Sequence, residues 1–421
     1  MANLSIKFVA AIAEVGAANW QRIAGTAYPF TRYEFLHALE TAGNDNNGTQ
    51  QPGAACNRQS GWAPQHAVVS DSKGVVALLP LYLKYHSYGE YIFDWTWAEA
   101  YQRNGLDYYP KLLAAIPYSP VTGPRLLLDR DALRTGRITQ EELLPFLATA
   151  LRQQCTACGA SSFHLLYPDT KLNRALAGEQ FFARHSFQYH WFNRASHDHS
   201  DAKFASFDGF LATLKARKRK AIAKERRDVM QQGIRIERLV GEQIEPGIWQ
   251  RFYHFYQLTY AKRSGHGGYL NQAFFEALGR DMGEQVMLVI AVQDDEIIAA
   301  ALNLFSSTTL YGRYWGCNRD AEYLHFEACY YQGIEFCIER GLERFDAGAQ
   351  GEHKIQRGFQ PVNTWSNHYI VHEGFRNAIK RYIAEEREAN QRYMQQAEQL
   401  LPFRLQQSSA TNEACTTDEI Q

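Results

Sequence analysis

Long hydrophobic runs are missing from this chain of 421 residues. No apolar stretch approaches the ~20 residues that a membrane-spanning helix requires. The first twenty residues contain a single lysine and are interrupted by Glu14, which is not the pattern of a secretion signal. We therefore expect a soluble, cytoplasmic protein with no integral membrane contact.

A regular cysteine pattern is also missing, although the chain has seven cysteines. Cys155 and Cys158 form one C-x-x-C pair on a predicted helix, and one pair without a second is weak evidence for zinc or redox chemistry. His197 and His199, with neighbouring aspartates, have metal-ligand chemistry, but we interpret residues 196–206 as a polar, solvated linker. The sequence therefore predicts reduced thiols, as in the cytoplasm, and no metal site.

Net charge is nearly absent, at −1 at pH 7. Because there is no global field to attract a nucleic acid, any anion binding has to come from a local patch. Aromatic residues are abundant, at 13% of the chain, with 24 tyrosines and eight tryptophans. Such a content is typical of a large core, and it also favours grooves lined by amphipathic rings.

The chain contains the same α/β pattern twice, and this duplication is its most informative feature. Each copy has a lead-in segment, two predicted strands, a predicted helix and a further predicted strand. In the first copy these segments are residues 33–39, 75–82, 89–95, 141–154 and 162–167. In the second copy they are residues 272–278, 297–305, 309–316, 326–340 and 342–346. Two such units usually meet face to face, and ligands favour the crevice between domains.

The polar stretch after the first copy sets the predicted domain boundaries. The predicted divisions are an N-terminal domain (1–195), a linker (196–206), a C-terminal domain (207–374), a C-terminal helix (375–405) and a tail (406–421). The C-terminal helix is highly charged, and the tail has the composition of a disordered segment.

A strongly basic segment lies on the first predicted helix of the C-terminal domain. Eight of the thirteen residues from Lys215 to Arg227 are basic and one is acidic. Like charges one helical turn apart repel, so a chain does not collect this charge for stability. The segment is either a solvated helix face or a binding site for phosphate, and we favour the second. The candidate donor-phosphate ligands are Arg217, Arg219, Lys220 and Arg226.

A glycine-rich segment follows the last predicted strand of the second copy, over residues 346–359. Glycines allow the backbone to turn sharply and to approach a ligand, and strand ends in α/β sheets are common binding sites. The candidate catalytic residues here are Glu352, His353, Lys354 and Arg357. Glutamate and histidine can move protons, while lysine and arginine can stabilise an anion or a developing oxyanion. The alternative is a polar surface turn.

Two aromatic-rich regions carry the candidate substrate-binding residues. One begins with Asp94 at the end of the strand predicted over 89–95, and the other follows the helix predicted over 248–262. The candidates are Asp94, Trp97, Tyr101, Tyr109, Lys111, Arg125, Tyr260, Lys262, Arg263, Tyr269 and Tyr314. Any single ring among them is more often part of the core. We expect the segments around Asp94 and Glu352–Arg357 to border one common cleft.

Together these segments resemble the FemAB-like "peptidoglycan biosynthesis/recognition" family, within the GNAT-like acyltransferase superfamily. The resemblance covers roughly residues 5–400, and its most family-like stretches are 93–101, 108–125, 215–227, 252–270 and 348–361. It implies an α/β (α+β) fold of two tandem GNAT-like domains, each a twisted mixed sheet flanked by helices. It also implies transfer of an amino acid from aminoacyl-tRNA to an amine of a peptidoglycan precursor, as in Fem-type relatives.

Two departures from these relatives bear on the acyl donor. The phosphate-binding motif of acetyl-CoA-dependent enzymes, Arg/Gln-x-x-Gly-x-Gly/Ala, is absent from residues 316–327 and from the stretch before Glu141. Its absence counts against acetyl-CoA as the donor. The long coiled-coil insertion of some Fem enzymes is absent too, since residues 217–231 are far too short for it.

The leading interpretation is an acyl or aminoacyl transferase that forms an amide on a small-molecule or peptide amine, with a peptidoglycan precursor as a candidate acceptor. The donor is aminoacyl-tRNA or acetyl-CoA, and no other cofactor is predicted. We expect one of Glu352 and His353 to face the acceptor amine and the other to brace the loop. The alternatives are an acetyl-CoA-dependent N-acetyltransferase and a non-enzymatic binding module for cell-wall fragments or nucleic acid.

Overall fold

The computed structural model describes residues 3–43, 53–177, 181–195, 202–349 and 351–404. The strands in this part of the chain are β1 (Ser5–Val9), β2 (Trp62–Pro64), β3 (His66–Asp71), β4 (Gly74–Leu79), β5 (Tyr82–Lys84), β6 (Lys111–Ala114), β7 (Leu127–Leu128), β8 (Ser162–Leu166), β9 (Phe182–Phe192), β10 (Arg235–Val240), β11 (Val286–Gln293), β12 (Glu296–Phe305), β13 (Thr309–Cys317), β14 (Arg344–Asp346) and β15 (Gln360–Ile370).

The helices flank these strands. They are α1 (Ala17–Ala24), α2 (Tyr33–Thr41), α3 (Trp95–Arg103), α4 (Arg130–Arg134), α5 (Gln140–Ala157), α6 (Thr170–Ala177), α7 (Phe207–Thr213), α8 (Ala216–Gln231), α9 (Pro246–Ser264), α10 (Gln272–Met282), α11 (Leu324–Phe326), α12 (Gln332–Glu339) and α13 (Glu373–Gln399). A π-helical turn, Glu327–Tyr331, joins α11 to α12, and a 3-10 helix, Glu352–Arg357, precedes β15.

The strands form two sheets. The small sheet has the order β1-β3-β4-β7, and the large sheet has the order β10-β11-β12-β13-β14-β9-β15-β8-β6-β5-β2. The large sheet contains both halves of the chain. Its strands become completely apolar where both faces are covered, as in β11, where every residue from Val286 to Val292 is buried.

The duplication is visible in the large sheet as two parallel strand pairs. In the N-terminal half β6 runs parallel to β8, with α5 between them in sequence. In the C-terminal half β13 runs parallel to β14, with α11 and α12 between them. The two lead-in helices, α2 and α10, also pack together, with Phe35 and Phe274 ring centroids 5.7 Å apart. The predicted α/β fold of twisted mixed sheet and flanking helices is confirmed.

The halves exchange their last strands. β9 follows β8 in sequence but pairs with β14, and β15 follows β14 but pairs with β8. β9 and β15 also pair with each other, antiparallel, at the centre of the sheet. The boundary predicted near residue 195 therefore divides the chain but not the sheet, and the position of independent domains stays a prediction. The linker segment 196–201 and the tail 406–421 lie outside the described residues.

One predicted strand is wrong. Residues 89–94 have no regular structure, Asp94 precedes helix α3, and the strand equivalent to β13 is β6. Trp97 and Tyr101 are four residues apart and both buried, which is the spacing of a helix face rather than of a strand. The helix predicted near the C terminus is confirmed as α13, and none of the described helices is long and apolar enough to cross a bilayer.

Candidate functional site

A cleft of about 640 Å³ lies where the two halves meet α13. Its walls are the loop before α3, the middle of β9, the glycine-rich segment and α13. The lining residues are Tyr91, Ile92, Phe93, Trp95, Thr96, Tyr167, Arg184, His185, Ser186, Phe187, Gln188, Tyr189, Ala349, Gly351, Glu352, Tyr382, Glu386, Asn390 and Tyr393. The predicted juxtaposition of the segments around Asp94 and Glu352 is confirmed, although Asp94 itself is buried behind the wall.

Glu352 places a carboxylate in this cleft. The backbone turns after β14 with positive φ angles at Gly348 (88°) and Gly351 (119°), which favour glycine, and the 3-10 helix then starts at Glu352. The Tyr393 hydroxyl donates a hydrogen bond to Glu352 Oε1, and the Tyr189 hydroxyl donates to Tyr393 at 3.1 Å. Among the described residues no cation pairs with Glu352, so its carboxylate is available to a cationic ligand.

The other three predicted catalytic residues do not line the cleft. His353 packs away from it, with Nε2 2.7 Å from the Tyr330 hydroxyl. Arg357 donates to the Glu225 carboxylate on α8 at 2.9 Å and to the Tyr331 hydroxyl at 2.9 Å. Lys354 is buried and donates to the Gly348 carbonyl oxygen at 2.7 Å. A 3-10 helix distributes consecutive side chains around its axis, so a four-residue cluster in sequence separates in space.

A buried charged cluster lies beneath the glycine-rich segment. The Asp346 carboxylate accepts from Arg313 at 3.0 Å, and His190 Nε2 lies 3.7 Å from it. Burial opposes ionisation of Asp346, but Arg313 lowers its pKa to about 2. Burial lowers the pKa of His190 to about 4 and that of Lys354 to about 8. His190 Nε2 also lies 3.3 Å from the side-chain oxygen of Gln188, which lines the cleft, so this C-terminal cluster supports the cleft floor.

The tyrosines of the cleft include two with strained backbones. Tyr91 and Tyr167 have positive φ angles of 62° and 53°, which are uncommon for residues with a side chain. The Tyr167 hydroxyl donates to the Tyr91 carbonyl oxygen at 2.9 Å. Such conformations persist where the surrounding structure enforces them, and they concentrate at functional sites.

None of the eleven predicted substrate-binding residues lines the cleft. Asp94, Tyr109 and Lys111 belong to a polar cluster behind the wall, where Lys111 is fully buried. Trp97 and Tyr101 are core residues of α3, because the helical spacing turns both rings inward. These residues are close to the cleft but face away from it.

The remaining predicted substrate ligands have other partners. Arg125 is fully buried and donates to backbone carbonyl oxygens, including that of Leu166 at 2.9 Å. Tyr260, Tyr269 and Tyr314 surround the Tyr256 ring in an aromatic cluster, with Tyr256–Tyr260 ring centroids 4.7 Å apart. Two basic residues at the end of α9, Lys262 and Arg263, are exposed.

Some basic side chains of helix α8 form ion pairs with described residues, and others do not. Arg217 and Lys220 are exposed, Arg219 is half-buried, and none of the three forms an ion pair with a described residue. Arg226 instead bridges Glu327 and Glu335 at 3.0 and 2.9 Å and lies over the Phe207 ring. The expectation that Arg226 is a free phosphate ligand is wrong, because two carboxylates already occupy its guanidinium.

Sequence reasoning missed the cleft residues on α13 and β9. Tyr393 and Glu386 lie on the charged C-terminal helix, and Tyr189 lies on β9, which was not among the predicted strands. The available indication was the burial spacing of α13, where Ile379 and Ile383 are four residues apart and face the protein. That spacing predicts packing, but it does not identify which surface the helix covers.

The two related halves share one α/β sheet and border the cleft together with α13. Residues 11–405 match the model of the FemAB-like family, described as peptidoglycan biosynthesis/recognition, and the chain belongs to this family. Membership of this family makes the chain an acyltransferase. No curated protein matches the chain.

Several solved structures are similar to the chain at low sequence identity. FemX is 12% identical, with a TM-score of 0.46, over 81% of this chain and 96% of that one. L-PGS from Bacillus licheniformis is 9% identical, with a TM-score of 0.41, over 72% and 82%. A tandem GNAT protein from the clavulanic acid biosynthesis pathway is 12% identical, with a TM-score of 0.41, over 87% and 98%.

Proposed function

We propose that this protein transfers an aminoacyl group to an amine-bearing acceptor, with Glu352 accepting the proton of the attacking amine and a peptidoglycan precursor as the acceptor. The observation that carries the proposal is the Glu352 carboxylate, which lies in the cleft between the halves with tyrosine hydroxyls beside it and no ion-pair partner among the described residues.

The surroundings of Glu352 suit a protonated amine. Tyr91, Trp95 and Tyr189 line the same cleft, and aromatic faces attract ammonium groups. The second carboxylate in the cleft, Glu386, is paired with Arg184 at 2.7 Å, which leaves Glu352 as the favoured partner for an incoming cation. A peptidoglycan stem peptide with a free side-chain amine has this chemistry.

The acceptor ammonium has to lose one proton before the amide bond can form. The acceptor ammonium loses a proton to Glu352, and the neutral amine then attacks the acyl carbonyl carbon of the donor ester. The carbonyl re-forms as the C–O bond to the donor breaks, the nitrogen loses its second proton and the departing oxygen gains one, so the products are the amide and a free hydroxyl on the donor. The reaction needs no covalent intermediate on the protein and no redox partner.

The position of α8 supports a polyanionic donor. The Arg357–Glu225 pair packs α8 directly behind the 3-10 helix that carries Glu352. Arg217 lies eight residues before Glu225, or about 12 Å along the helix axis at the rise of an α-helix. Arg217, Arg219 and Lys220 form a basic patch on the first turns of this helix, and a tRNA-linked donor matches such a patch better than acetyl-CoA does, because residues 316–327 lack the acetyl-CoA phosphate motif.

A two-donor assay tests this function. The full-length protein is incubated with a synthetic stem peptide that has a free lysine amine and with either a set of radiolabelled aminoacyl-tRNAs or radiolabelled acetyl-CoA. We expect label in the peptide only with aminoacyl-tRNA, and labelling that is slower by ~10²-fold or more when E352Q replaces the parent protein. Transfer from acetyl-CoA alone would establish the N-acetyltransferase alternative. Binding of the peptide without transfer from either donor would establish a binding module.

A further inference from the structure

We propose that Lys111 is a positioning residue that shapes the cleft wall: by bonding Ser87, Glu90 and Asp94 it holds residues 87–94, here called the wall loop, in the form that presents Tyr91 and Phe93 to the acceptor. The role presupposes the proposed transfer reaction, since it concerns the acceptor side of that cleft.

The wall loop has little backbone support of its own. It contains no helix or strand, and Tyr91 within it has a positive φ. Before the first turn of α3, one backbone bond connects it to another described segment, from the Tyr118 amide to the Gly89 carbonyl oxygen at 3.2 Å. A loop with so few ladder bonds needs side chains to define its conformation.

Those side chains come from β5, from the residue that follows β8, and from β9. Lys84 donates to the Tyr88 carbonyl oxygen at 3.3 Å, Tyr167 to that of Tyr91 at 2.9 Å, and Arg184 to that of Phe93 at 2.9 Å. Each bond fixes one peptide group. None of them connects the two ends of the loop.

Lys111 makes that connection. Its ammonium donates to Ser87 Oγ and Glu90 Oε2, both at 2.8 Å, and to Asp94 Oδ2. Ser87 and Glu90 precede the cleft-lining residues Tyr91–Phe93 in sequence, and Asp94 follows them. One buried cation therefore bonds both ends of the segment that forms the wall, from a position on β6 inside the large sheet.

The electrostatics of this N-terminal cluster fit such a role. Burial opposes ionisation of Asp94, but Lys111 holds its pKa well below the usual range. Burial raises the pKa of Glu90 to about 7 and lowers that of Lys84 to about 7. The Lys111–Asp94 pair therefore stays ionised at neutral pH, and a buried ion pair with defined geometry specifies one conformation of the groups it joins.

The test replaces the whole cluster with neutral groups. Removing Lys111 alone would leave two buried carboxylates, which destabilises a fold, so the principal variant is E90Q/D94N/K111M. The matched control is E327Q/E335Q/R226M, which removes another cation with two carboxylates, at a site away from the cleft wall. Both variants are compared with the parent in transfer kinetics and in amide hydrogen exchange of residues 85–97.

We expect the principal variant to raise KM for the acceptor peptide by about tenfold or more while kcat at saturating peptide changes by less than about threefold. Exchange of residues 85–97 should become faster in the principal variant and not in the control. An unchanged acceptor KM, or equal effects in the control, would overturn the positioning role.

The exchange measurement separates this role from the transfer function. If the parent protein transfers no label from either donor, the proposed function fails, and the wall loop must still exchange faster in the principal variant for the positioning role to stand. If the triple variant does not fold, E90A alone removes one of the three bonds to Lys111. E90A must then accelerate exchange of residues 85–97, and an unchanged rate would reject the proposal.

Discussion

The protein has two buried charged clusters, an N-terminal cluster around Lys111 and a C-terminal cluster around Asp346. They have opposite ratios of carboxylates to cations, and each fixes a loop beside the cleft. In the N-terminal cluster the carboxylates of Glu90 and Asp94 share the Lys111 ammonium. In the C-terminal cluster the Asp346 carboxylate pairs with Arg313, and Gly348 links it to a second cation, since the Gly348 amide donates to Asp346 at 2.9 Å and Lys354 donates to the Gly348 carbonyl oxygen. Each cluster fixes one loop that borders the cleft, so buried charge defines the cleft from both sides.

The charge ratio predicts different costs of losing one carboxylate. D346N leaves the buried Arg313 guanidinium without its anion, so we expect a loss of about 3–5 kcal/mol in the free energy of unfolding. D94N leaves Glu90 beside Lys111, so its loss should be smaller, about 1–3 kcal/mol. Urea unfolding of both variants measures the difference. A D94N cost equal to or above that of D346N would show that the ratio of charges does not control stability here.

Acid should weaken both clusters through their buried histidines. Burial lowers the pKa of His164, beside the N-terminal cluster, to about 3 and that of His190, in the C-terminal cluster, to about 4. Because both folded pKa values lie below the ordinary value of 6.5, the associated stability is present above pH 6.5 and is lost as the pH falls. At pH 4 the cost should be about 3 kcal/mol for each histidine.

A substitution of His190 separates its contribution to the pH dependence of stability from that of His164. His164 Nδ1 lies 2.6 Å from His368 Nδ1 on the neighbouring strand, and each ring has a serine hydroxyl 2.7 Å from Nε2. One of the two Nδ1 atoms donates its proton to the other, and burial lowers the pKa of both rings, so both are neutral at pH 7. Urea unfolding at pH 7.5, 6.0 and 5.0 should show stability falling with pH, and H190N should reduce that slope. A slope unaffected by H190N would mean that folding does not lower the pKa of His190.

In the glycine-rich loop, two adjacent residues should have different roles, Glu352 in the reaction and His353 in packing. We expect E352Q to lower turnover by ~10²-fold or more, the usual scale for loss of a general base, because Glu352 faces the cleft. H353A should change turnover by less than about threefold, because His353 contacts Tyr330 away from the cleft. Steady-state kinetics with saturating acceptor compares the two variants, and circular dichroism controls for the fold. Equal losses of turnover in E352Q and H353A would indicate that the loop is only a structural turn.

The basic patch should have the smallest of these effects. R217A/R219A/K220A removes three cations without an ion-pair partner among the described residues, so donor binding should weaken by about tenfold and lose salt dependence. The control K73A/R134A/R381A removes three exposed cations elsewhere and should leave donor binding unchanged. Binding of tRNA at 50 and 200 mM salt measures both. Equal weakening by patch and control variants would indicate a general charge effect.

Local patterns in the sequence were sufficient to predict the repeated elements of this fold. The duplicated order of segments predicted α5, β8, β12, β13 and the two lead-in segments, which are helices α2 and α10, because hydrophobic periodicity reports which side of a helix or strand is buried. The glycine-rich segment identified the loop that brings Glu352 to the cleft. The wall loop was mistaken for a strand, since Tyr91–Trp95 is rich in residues that favour strands.

The sequence by itself determined the α/β repeat, the family and the chemical types of residue near the cleft. Only the tertiary structure decided that β9 and β15 exchange between the halves, that α13 contributes Tyr393 to Glu352, and that Lys111 faces Ser87 rather than a ligand. The physical reason is that periodicity records whether a side chain is buried, whereas strand pairing and charge pairing depend on partners distant in sequence. A buried lysine and a substrate-binding lysine cannot be distinguished in the sequence until those partners are known.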